Sequence, residues 1–429
     1  MLVSDYNYDL PEERIAKFPP GKRGTTRLLV LDRKTGDIKD SYYRDLADFL
    51  NPGDVLVLND TRVMKSRLFC ELPDGRKREL VVLEKHGDEP QRVMYRGKLH
   101  EGDKLIIHSQ ASEKCTFEEH IWRRAKYGAT EARDDGPEGA FRESTFSEAE
   151  IVITKILGNG IAEVESEIPL AELAETSGSV PLPPYLHRDA TEEDKARYQT
   201  VFAKEMGSAA APTASLNMTD ELLEKLRRKG VIIKYLTLHV GLGTFLPIRC
   251  DKIEDHKMHS EWFHIPEDTI EALRSIMEGR VLSEPIFSDV GLEFSSTSYT
   301  GEPGEPPLRG EPLGRVRNIG VENSNHSKHP KKQVSATHPR IIALGTTVAR
   351  TLEYYAKTGK ASGEDDIFIY PGFEFKIVDA LLTNFHAPKS TVLMLASAFA
   401  GWDHLKNAYE HAIAEKYNFL SYGDSMFIY

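Results

Sequence analysis

The feature that most constrains the fold is a near-continuous apolar run at residues 231–238, with the sequence VIIKYLTL. A strand with apolar side chains on both faces is typical of a parallel sheet that is covered on both sides. The run ends at His239, and the small residues of the segment Gly241-Leu242-Gly243-Thr244 follow, which allow a ligand to approach the backbone closely. The pattern therefore predicts a buried strand of an α/β protein with a ligand site at its end.

Two further buried strands run into polar residues in the same way. Residues 55–58 lead into Asp60 and Arg62, and residues 341–344 lead through Gly345-Thr346-Thr347 into a helix. Polar residues at the carboxyl end of such strands often line the cleft of α/β proteins. A helix that begins there favours the binding of an anion or a carboxylate. The alternative for the first strand is that Asp60 and Arg62 only pair across a turn.

Between residues 67 and 167 the pattern changes to short strands without a convincing helix. The candidates are Arg67–Leu72, Glu79–Lys85, Arg92–Tyr95, Lys104–His108, Glu150–Leu157 and Gly160–Ser166. Such a series favours a small antiparallel barrel. We therefore predict a discontinuous α/β catalytic domain of residues 1–66 and 168–429 that carries an inserted β-barrel domain of residues 67–167. Residues 281–339, rich in Gly, Pro, Ser, Glu and Asn, are predicted to form a disordered insertion.

Two carboxylates and two imidazoles crowd into the segment DHKMHSE, namely Asp255, Glu261, His256 and His259. This set is suited to acid–base chemistry near neutral pH, because a neighbouring carboxylate raises the pKa of a histidine. The alternatives are a solvated polar turn and a pair of metal ligands.

Composition narrows the class of protein. The net charge of the 429 residues is −12, so the chain is not a generally basic nucleic-acid coat, and any RNA contact requires a local basic patch. The three cysteines are widely spaced and form no CxxC pair, which favours a reducing compartment. The acidic N-terminus is unlike a leader, and the longest apolar run, residues 392–400, is too short to span a bilayer. A cytoplasmic location is expected.

Ten motifs, in order along the chain, closely resemble the S-adenosylmethionine:tRNA ribosyltransferase-isomerase family of queuosine biosynthesis. They are GDVLVLNDTRVMKSRL, VPLPPYLHR, RYQTVFA, AAPTAS, TLHVGLGTF, DHKMHSE, ALGTTVARTLE, IFIYPGFEFKIVDALLTNFH, PKSTVLMLASAFAG and YGDSMFI. The resemblance extends from the N-terminus to Tyr429 and is broken mainly at residues 281–339. No single motif is decisive, but their order over the full length is very specific.

The resemblance implies a transferase-isomerase that moves the ribosyl moiety of S-adenosylmethionine onto 7-aminomethyl-7-deazaguanine in tRNA. The products are epoxyqueuosine, adenine and methionine. The family fold is likewise a large α/β domain with an inserted small β-barrel. S-adenosylmethionine is consumed as a substrate, so neither a cofactor nor a metal is expected. The expected partner is tRNA, without a membrane, and the chain is expected to be a monomer.

Such a reaction needs a base next to the sulfonium and a hydrogen-bond donor for the departing adenine. The catalytic candidates are His239, Asp255, His256, His259 and Glu261. The methionine carboxylate is expected at the helix N-terminus or at Arg350, and RNA phosphates are expected at Arg62, Lys65 and Arg67. The complete substrate-binding set is Asp60, Arg62, Arg67, Gly241, Gly243, Thr244, Thr346, Thr347, Arg350, Asn384 and His386. Individual roles stay open at this point.

One loop departs from the family pattern. Members usually read APTAGLHF where residues 211–218 of this chain read APTASLNM, so Ser215 replaces a glycine and Asn217 a histidine. Asparagine forms hydrogen bonds but does not carry a proton at neutral pH. The alternative function is therefore a catalytically impaired paralogue that binds RNA or nucleosides without turnover. If the loop faces the cleft, Asn217→His should raise turnover at little cost in stability. If the loop only packs beneath the substrate, the change should matter little.

Overall fold

The computed structural model describes residues 1–83, 91–108, 148–158, 160–241, 248, 250–283 and 338–429. Gly243, Thr244 and nearly all of the segment predicted to be a disordered insertion lie outside the described residues. Residues 1–278 and 339–429 belong to one compact unit.

The described strands are, in chain order, β1 (Arg27–Leu31), β2 (Ile38–Tyr42), β3 (Val55–Asn59), β4 (Thr61–Val63), β5 (Arg67–Glu71), β6 (Lys77–Val82), β7 (Gln91–Arg96), β8 (Lys104–His108), β9 (Glu148–Gly158), β10 (Ile161–Ser166), β11 (Glu205–Ser208), β12 (Ile232–Leu238), β13 (Glu261–His264), β14 (Ile341–Leu344), β15 (Ser362–Asp365), β16 (Ala380–Asn384) and β17 (Ser425–Ile428). The described α-helices are α1 (Leu170–Ser177), α2 (Glu192–Arg197), α3 (Asp220–Lys229), α4 (Glu267–Ser283), α5 (Thr346–Thr358), α6 (Thr391–Ala400) and α7 (Trp402–Ala414).

A nine-stranded mixed sheet forms the centre of the α/β part, in the order β15-β13-β12-β3-β14-β16-β17-β1-β2. Its four middle strands, β12, β3, β14 and β16, run parallel. Both faces are buried, because Val55 and Val57 pack into one hydrophobic cluster while Leu56 and Leu58 pack into another. The continuous apolar runs therefore mark strands covered on both sides, as predicted.

The short strands of the middle region close into a barrel, in the order β10-β7-β6-β5-β8-β9, and all its pairings are antiparallel. Side chains from alternate positions, such as Leu68, Cys70 and Leu80, fill its own core. The predicted fold class, a large α/β part with an inserted small antiparallel barrel, is confirmed. The domain boundaries at residues 66–67 and 167–168 stay a prediction.

Local sequence patterns predict the two ends of α3 correctly and one strand wrongly. Thr219 caps α3 by accepting a hydrogen bond from the Leu222 amide at 3.2 Å, and Gly230 ends the helix with a φ of 90°. The apolar residues of Ile367–Tyr370 also predict a strand, but this prediction is wrong, since they form no strand and β15 lies just before them. There the Asp365 carboxylate accepts the hydrogen bond of the Ile367 amide, which takes the place of a strand partner.

None of the helices in the described ranges has the length and the apolar character required to cross a membrane.

Candidate active site

A cavity of about 170 Å³ opens at the carboxyl edge of the parallel strands. Its walls come from the ends of β14 and β16, from Val240 just after β12, and from the loop of residues 211–214. Predicted binding residues among those that line it are Thr346, Thr347, Asn384 and His386. Because the carboxyl ends of parallel strands meet at one edge, residues far apart in sequence converge here.

The two polar residues at the end of β16 are held by their neighbours. The Asn384 side-chain oxygen accepts a hydrogen bond from the Thr213 hydroxyl at 2.9 Å. His386 Nε2 lies 2.9 Å from the hydroxyl of Thr383, and burial lowers the pKa of His386 to about 3. His386 is therefore neutral at physiological pH, which makes it a poor acid–base catalyst and leaves a role in binding.

His239 lies at the end of β12 and is fixed on two sides. Its Nδ1 lies 2.8 Å from the Thr61 hydroxyl, and its ring stacks on Trp262 with centroids 5.1 Å apart. Val240, the next residue, lines the cavity. Strand β4 thus contributes Thr61, the residue that orients the imidazole.

The structure separates Asp60 from Arg62. Asp60 is buried and accepts a hydrogen bond from the Thr237 hydroxyl at 2.7 Å, and burial raises its pKa. Arg62 is exposed, and the ion pairs described for the chain do not include it. The alternative of a pair across a turn is therefore wrong.

The segment DHKMHSE does not act as one cluster. Asp255 and His259 are exposed, whereas the ring of His256 packs edge-on against Phe368 at 5.2 Å. Burial and the neighbouring His259 lower the pKa of His256, so the expectation that carboxylates raise it is wrong. Among the described residues, no three His, Cys, Asp or Glu side chains could together hold a metal ion.

Glu261 points away from these histidines and belongs to a buried ion-pair triad with Arg350 and Asp365. The Arg350 Nη2 donates to the Glu261 carboxylate, and its Nε donates to Asp365 at 3.2 Å. The second oxygen of Glu261 accepts a hydrogen bond from the Gly241 amide at 2.7 Å. Burial alone would lower the pKa of Arg350, but the two carboxylates raise it.

This triad changes how two predicted site residues are understood. Two of the three nitrogens of the Arg350 guanidinium, Nε and Nη2, pair with carboxylates of its own chain, so a substrate carboxylate would compete with them. Glu261 ties the glycine-containing loop after β12 to α5. Their predicted roles in binding and catalysis stay predictions, while the structure adds a positional role that the sequence did not indicate.

Arg67 and Arg62 differ in whether another residue of the chain neutralises their charge. Arg67 forms two hydrogen bonds with the Glu79 carboxylate, at 2.9 and 3.0 Å, and an ion pair with Asp189 at 3.2 Å. Its charge is compensated within the chain, whereas Arg62 projects into solvent. Arg62 is therefore the better candidate for contact with an RNA phosphate.

Asn217 lies outside the cavity. It is 2% exposed, and its amide donates to the carbonyl of Gly423 at 3.2 Å. Residues 211–214 of the same loop line the cavity, but Asn217 is absent from that lining. The alternative in which position 217 faces the cleft is therefore wrong, because Ser215 and Asn217 are buried in the core.

Sequence reasoning missed several lining residues, among them Thr213, Tyr185, Lys389 and Ser390. All four lie in motifs of the family resemblance, but the motifs assign no role to these positions: Tyr185 lies in VPLPPYLHR, Thr213 in AAPTAS, and Lys389 and Ser390 in PKSTVLMLASAFAG. The signal that could have found Ser390 is its place as N-cap of an apolar helix directly after a polar strand end.

A mixed sheet whose middle strands run parallel and end at a cavity, combined with an inserted antiparallel barrel, defines an α/β protein with a candidate small-ligand site at the strand ends. A model of the family described as "Queuosine biosynthesis protein" matches residues 3–283 and 321–428, so the chain belongs to that family.

Its similar proteins include S-adenosylmethionine:tRNA ribosyltransferase-isomerases. That of Pelodictyon phaeoclathratiforme is 45% identical over 437 residues, and that of Chlorobium phaeobacteroides is 43% identical over 437 residues. Both alignments cover 100% of this chain and 100% of the relative. A solved structure, the S-adenosylmethionine tRNA ribosyltransferase of Thermotoga maritima, is 26% identical with a TM-score of 0.45, covering 99% of this chain and 100% of that chain.

Proposed function

We propose that this chain is an S-adenosylmethionine:tRNA ribosyltransferase-isomerase. It transfers the ribosyl moiety of S-adenosylmethionine onto 7-aminomethyl-7-deazaguanine in tRNA and yields epoxyqueuosine, adenine and methionine. The observation that carries the proposal is similarity over the whole length to enzymes of that name. The cavity at the carboxyl edge of the sheet supports it, because family motifs from distant parts of the chain supply its walls.

His239 is the base that we propose for removing the proton next to the sulfonium. Thr61 and Trp262 fix its ring, and the adjacent residue Val240 lines the cavity. His386 is less suited because its pKa is lowered to about 3, and a base works best when its pKa is near the working pH. His256 and His259 remain candidates for donating a hydrogen bond to the departing adenine.

We further propose that the enzyme works as a monomer in the cytoplasm, without a resident cofactor or metal, and that Arg62 contacts the tRNA backbone. The alternative, a paralogue that binds without turnover, was motivated by Asn217. That motivation is weaker now, because Asn217 is buried away from the cavity.

The test is a product assay. The purified protein is incubated with S-adenosylmethionine and tRNA that carries the aminomethyl-deazaguanine, and nucleosides are analysed by mass spectrometry. Epoxyqueuosine together with free adenine is expected. A folded protein that releases no adenine and forms no epoxyqueuosine would reject the proposal, and tRNA binding without turnover would favour the alternative.

A matched pair of variants tests the proposed base. His239→Gln should lower turnover by about 100-fold or more, because a positioned general base contributes about that much. His264→Gln is the control, since His264 is an exposed histidine near the same Trp262 ring. Equal turnover of the two variants would exclude His239 as the base.

A further inference from the structure

Two helices begin at the wall of the same cavity. Helix α5 has 13 residues and starts directly after Gly345, and α6 has 10 residues and starts after its N-cap Ser390. Gly345, Thr346, Ser390 and Val392 all line the cavity. Amides in the first turn of a helix have no acceptor within the helix and carry partial positive charge. The two N-termini together favour a negatively charged group.

A buried side chain provides independent evidence for a ligand at this place. Asn384 is 3% exposed and lines the cavity, and its side-chain oxygen is occupied by the Thr213 hydroxyl. Its Nδ2 has no hydrogen-bond partner among the described residues. Buried amide donors are nearly always paired, because an unpaired one loses its hydration without compensation. An acceptor atom of a bound ligand would satisfy this donor.

The wall of the cavity carries positive charge, as the helix N-termini do. Lys389 lines the cavity, is exposed, and takes part in none of the ion pairs described for the chain. No Asp or Glu occurs among the described residues of the lining. A carboxylate there would meet amide donors and one ammonium group, whereas a sulfonium would meet only like charge.

We propose that this end of the cavity is a carboxylate subsite built by the N-termini of α5 and α6, Asn384 and Lys389. In the proposed reaction, on which this inference rests, it binds the α-carboxylate of the methionine part of S-adenosylmethionine. Roughly 300–1,000 Å³ is usual for a pocket that encloses a drug-sized ligand. The volume of about 170 Å³ therefore fits one end of the substrate. The sulfonium and ribose then lie outside this subsite.

The inference decides between the two places expected for the methionine carboxylate, the helix N-terminus and Arg350. Arg350 is not needed for it, since Glu261 and Asp365 already bind its guanidinium. Lys389 and the α6 N-terminus take over that role. A phosphate of tRNA has the same anionic chemistry, so the experiment must distinguish the two sources.

Calorimetric titration with S-adenosylmethionine and with its decarboxylated analogue tests the subsite. The wild-type enzyme should bind the analogue about 10- to 100-fold more weakly, the range expected for hydrogen bonds to a charged group. Lys389→Gln and Asn384→Ala should weaken binding of S-adenosylmethionine and leave binding of the analogue nearly unchanged. Lys416→Gln is the matched control, because Lys416 is exposed, shares the left-handed backbone (φ 61° against 58°) and does not line the cavity.

The inference is overturned by equal affinity of the wild-type enzyme for both compounds, by no detectable binding of either, or by an unchanged preference in Lys389→Gln. If Lys389→Gln weakens tRNA binding but not S-adenosylmethionine binding, the anion is a phosphate and the carboxylate assignment fails. An enzyme that discriminates between the two compounds yet forms no epoxyqueuosine supports the subsite and rejects the proposed function, so the two failures are distinguishable.

Discussion

Removal of the buried guanidinium in Arg350→Met is expected to destabilise the protein strongly. The side chains of Arg350, Glu261 and Asp365 are 7%, 3% and 0% exposed, so solvent screens their interaction little. Methionine has a similar length but leaves two buried carboxylates without a counter-charge. Breaking a buried ion pair in this way costs about 3–5 kcal/mol, a large share of the roughly 5–15 kcal/mol that stabilises a typical protein.

Urea unfolding, followed by tryptophan fluorescence, to which Trp262 beside Glu261 contributes, measures the change in the free energy of unfolding. Burial raises the pKa of Asp365 and Arg350 lowers it, so the pKa should rise further in the variant. A carboxyl with a raised pKa in the folded state favours folding at low pH and loses that contribution as pH rises above about 4. The deficit of Arg350→Met should therefore be smaller at about pH 5 than at pH 7.

Arg227→Met is the control, because Arg227 pairs with Glu224 on the exposed surface of α3. Exposed ion pairs contribute about 0–1 kcal/mol. If Arg350→Met lowers the free energy of unfolding no more than this control does, the triad is not a source of stability and the reasoning fails.

Two other predictions follow from site geometry. Burial lowers the pKa of His386 to about 3. Between about pH 6.5 and about pH 3, the unfolded chain therefore binds a proton at this residue and the folded chain does not. The free energy of unfolding should fall by up to about 1.4 kcal/mol for each unit by which the pH decreases in this window. His386→Asn should remove that part of the slope in urea unfolding, and an unchanged slope would contradict it. Arg62→Ala should reduce the salt dependence of tRNA binding by about one phosphate contact in filter binding. Arg67→Ala should instead lower stability, since Glu79 loses its partner; equal salt slopes would contradict the distinction.

Much of the fold was predictable because its signals are local. Residues 55–58 and 341–344 are continuous apolar runs, and the structure buries them on both faces of the central sheet. Polar strand ends then predict a crevice by topology alone, so the sequence correctly indicates Thr346 and Asn384 as residues of the cavity wall. The same locality explains the barrel, whose strands follow one another along the chain.

The features that the sequence does not predict depend on contacts between residues that lie far apart in the chain. Arg350 and Glu261 lie 89 positions apart, and each alone reads as a substrate or catalytic residue. Strand β17 inserts between β16 and β1, antiparallel to the first and parallel to the second. Nothing in its four residues specifies that position. Burial likewise lowers the pKa of His256, whereas the sequence predicts that neighbouring carboxylates raise it.

Position 217 is where the structure changes the expected outcome most. Asn217→His places a larger ring in a site that is 2% exposed, and overpacking of a filled core costs about 1–3 kcal/mol. Ser215, in the same turn, is fully buried and is larger than the glycine of the family pattern APTAGLHF, so Ser215→Gly should relieve part of this cost in the double variant.

Turnover per folded enzyme should change little in either variant, because position 217 does not line the cavity. Thermal unfolding and the product assay, run on wild type, Asn217→His and the double variant, measure the two effects separately. A proton carrier is worth about 100-fold or more in rate. A gain of that size in Asn217→His would show that the imidazole reaches the substrate and that the loop opens toward the cavity during the reaction.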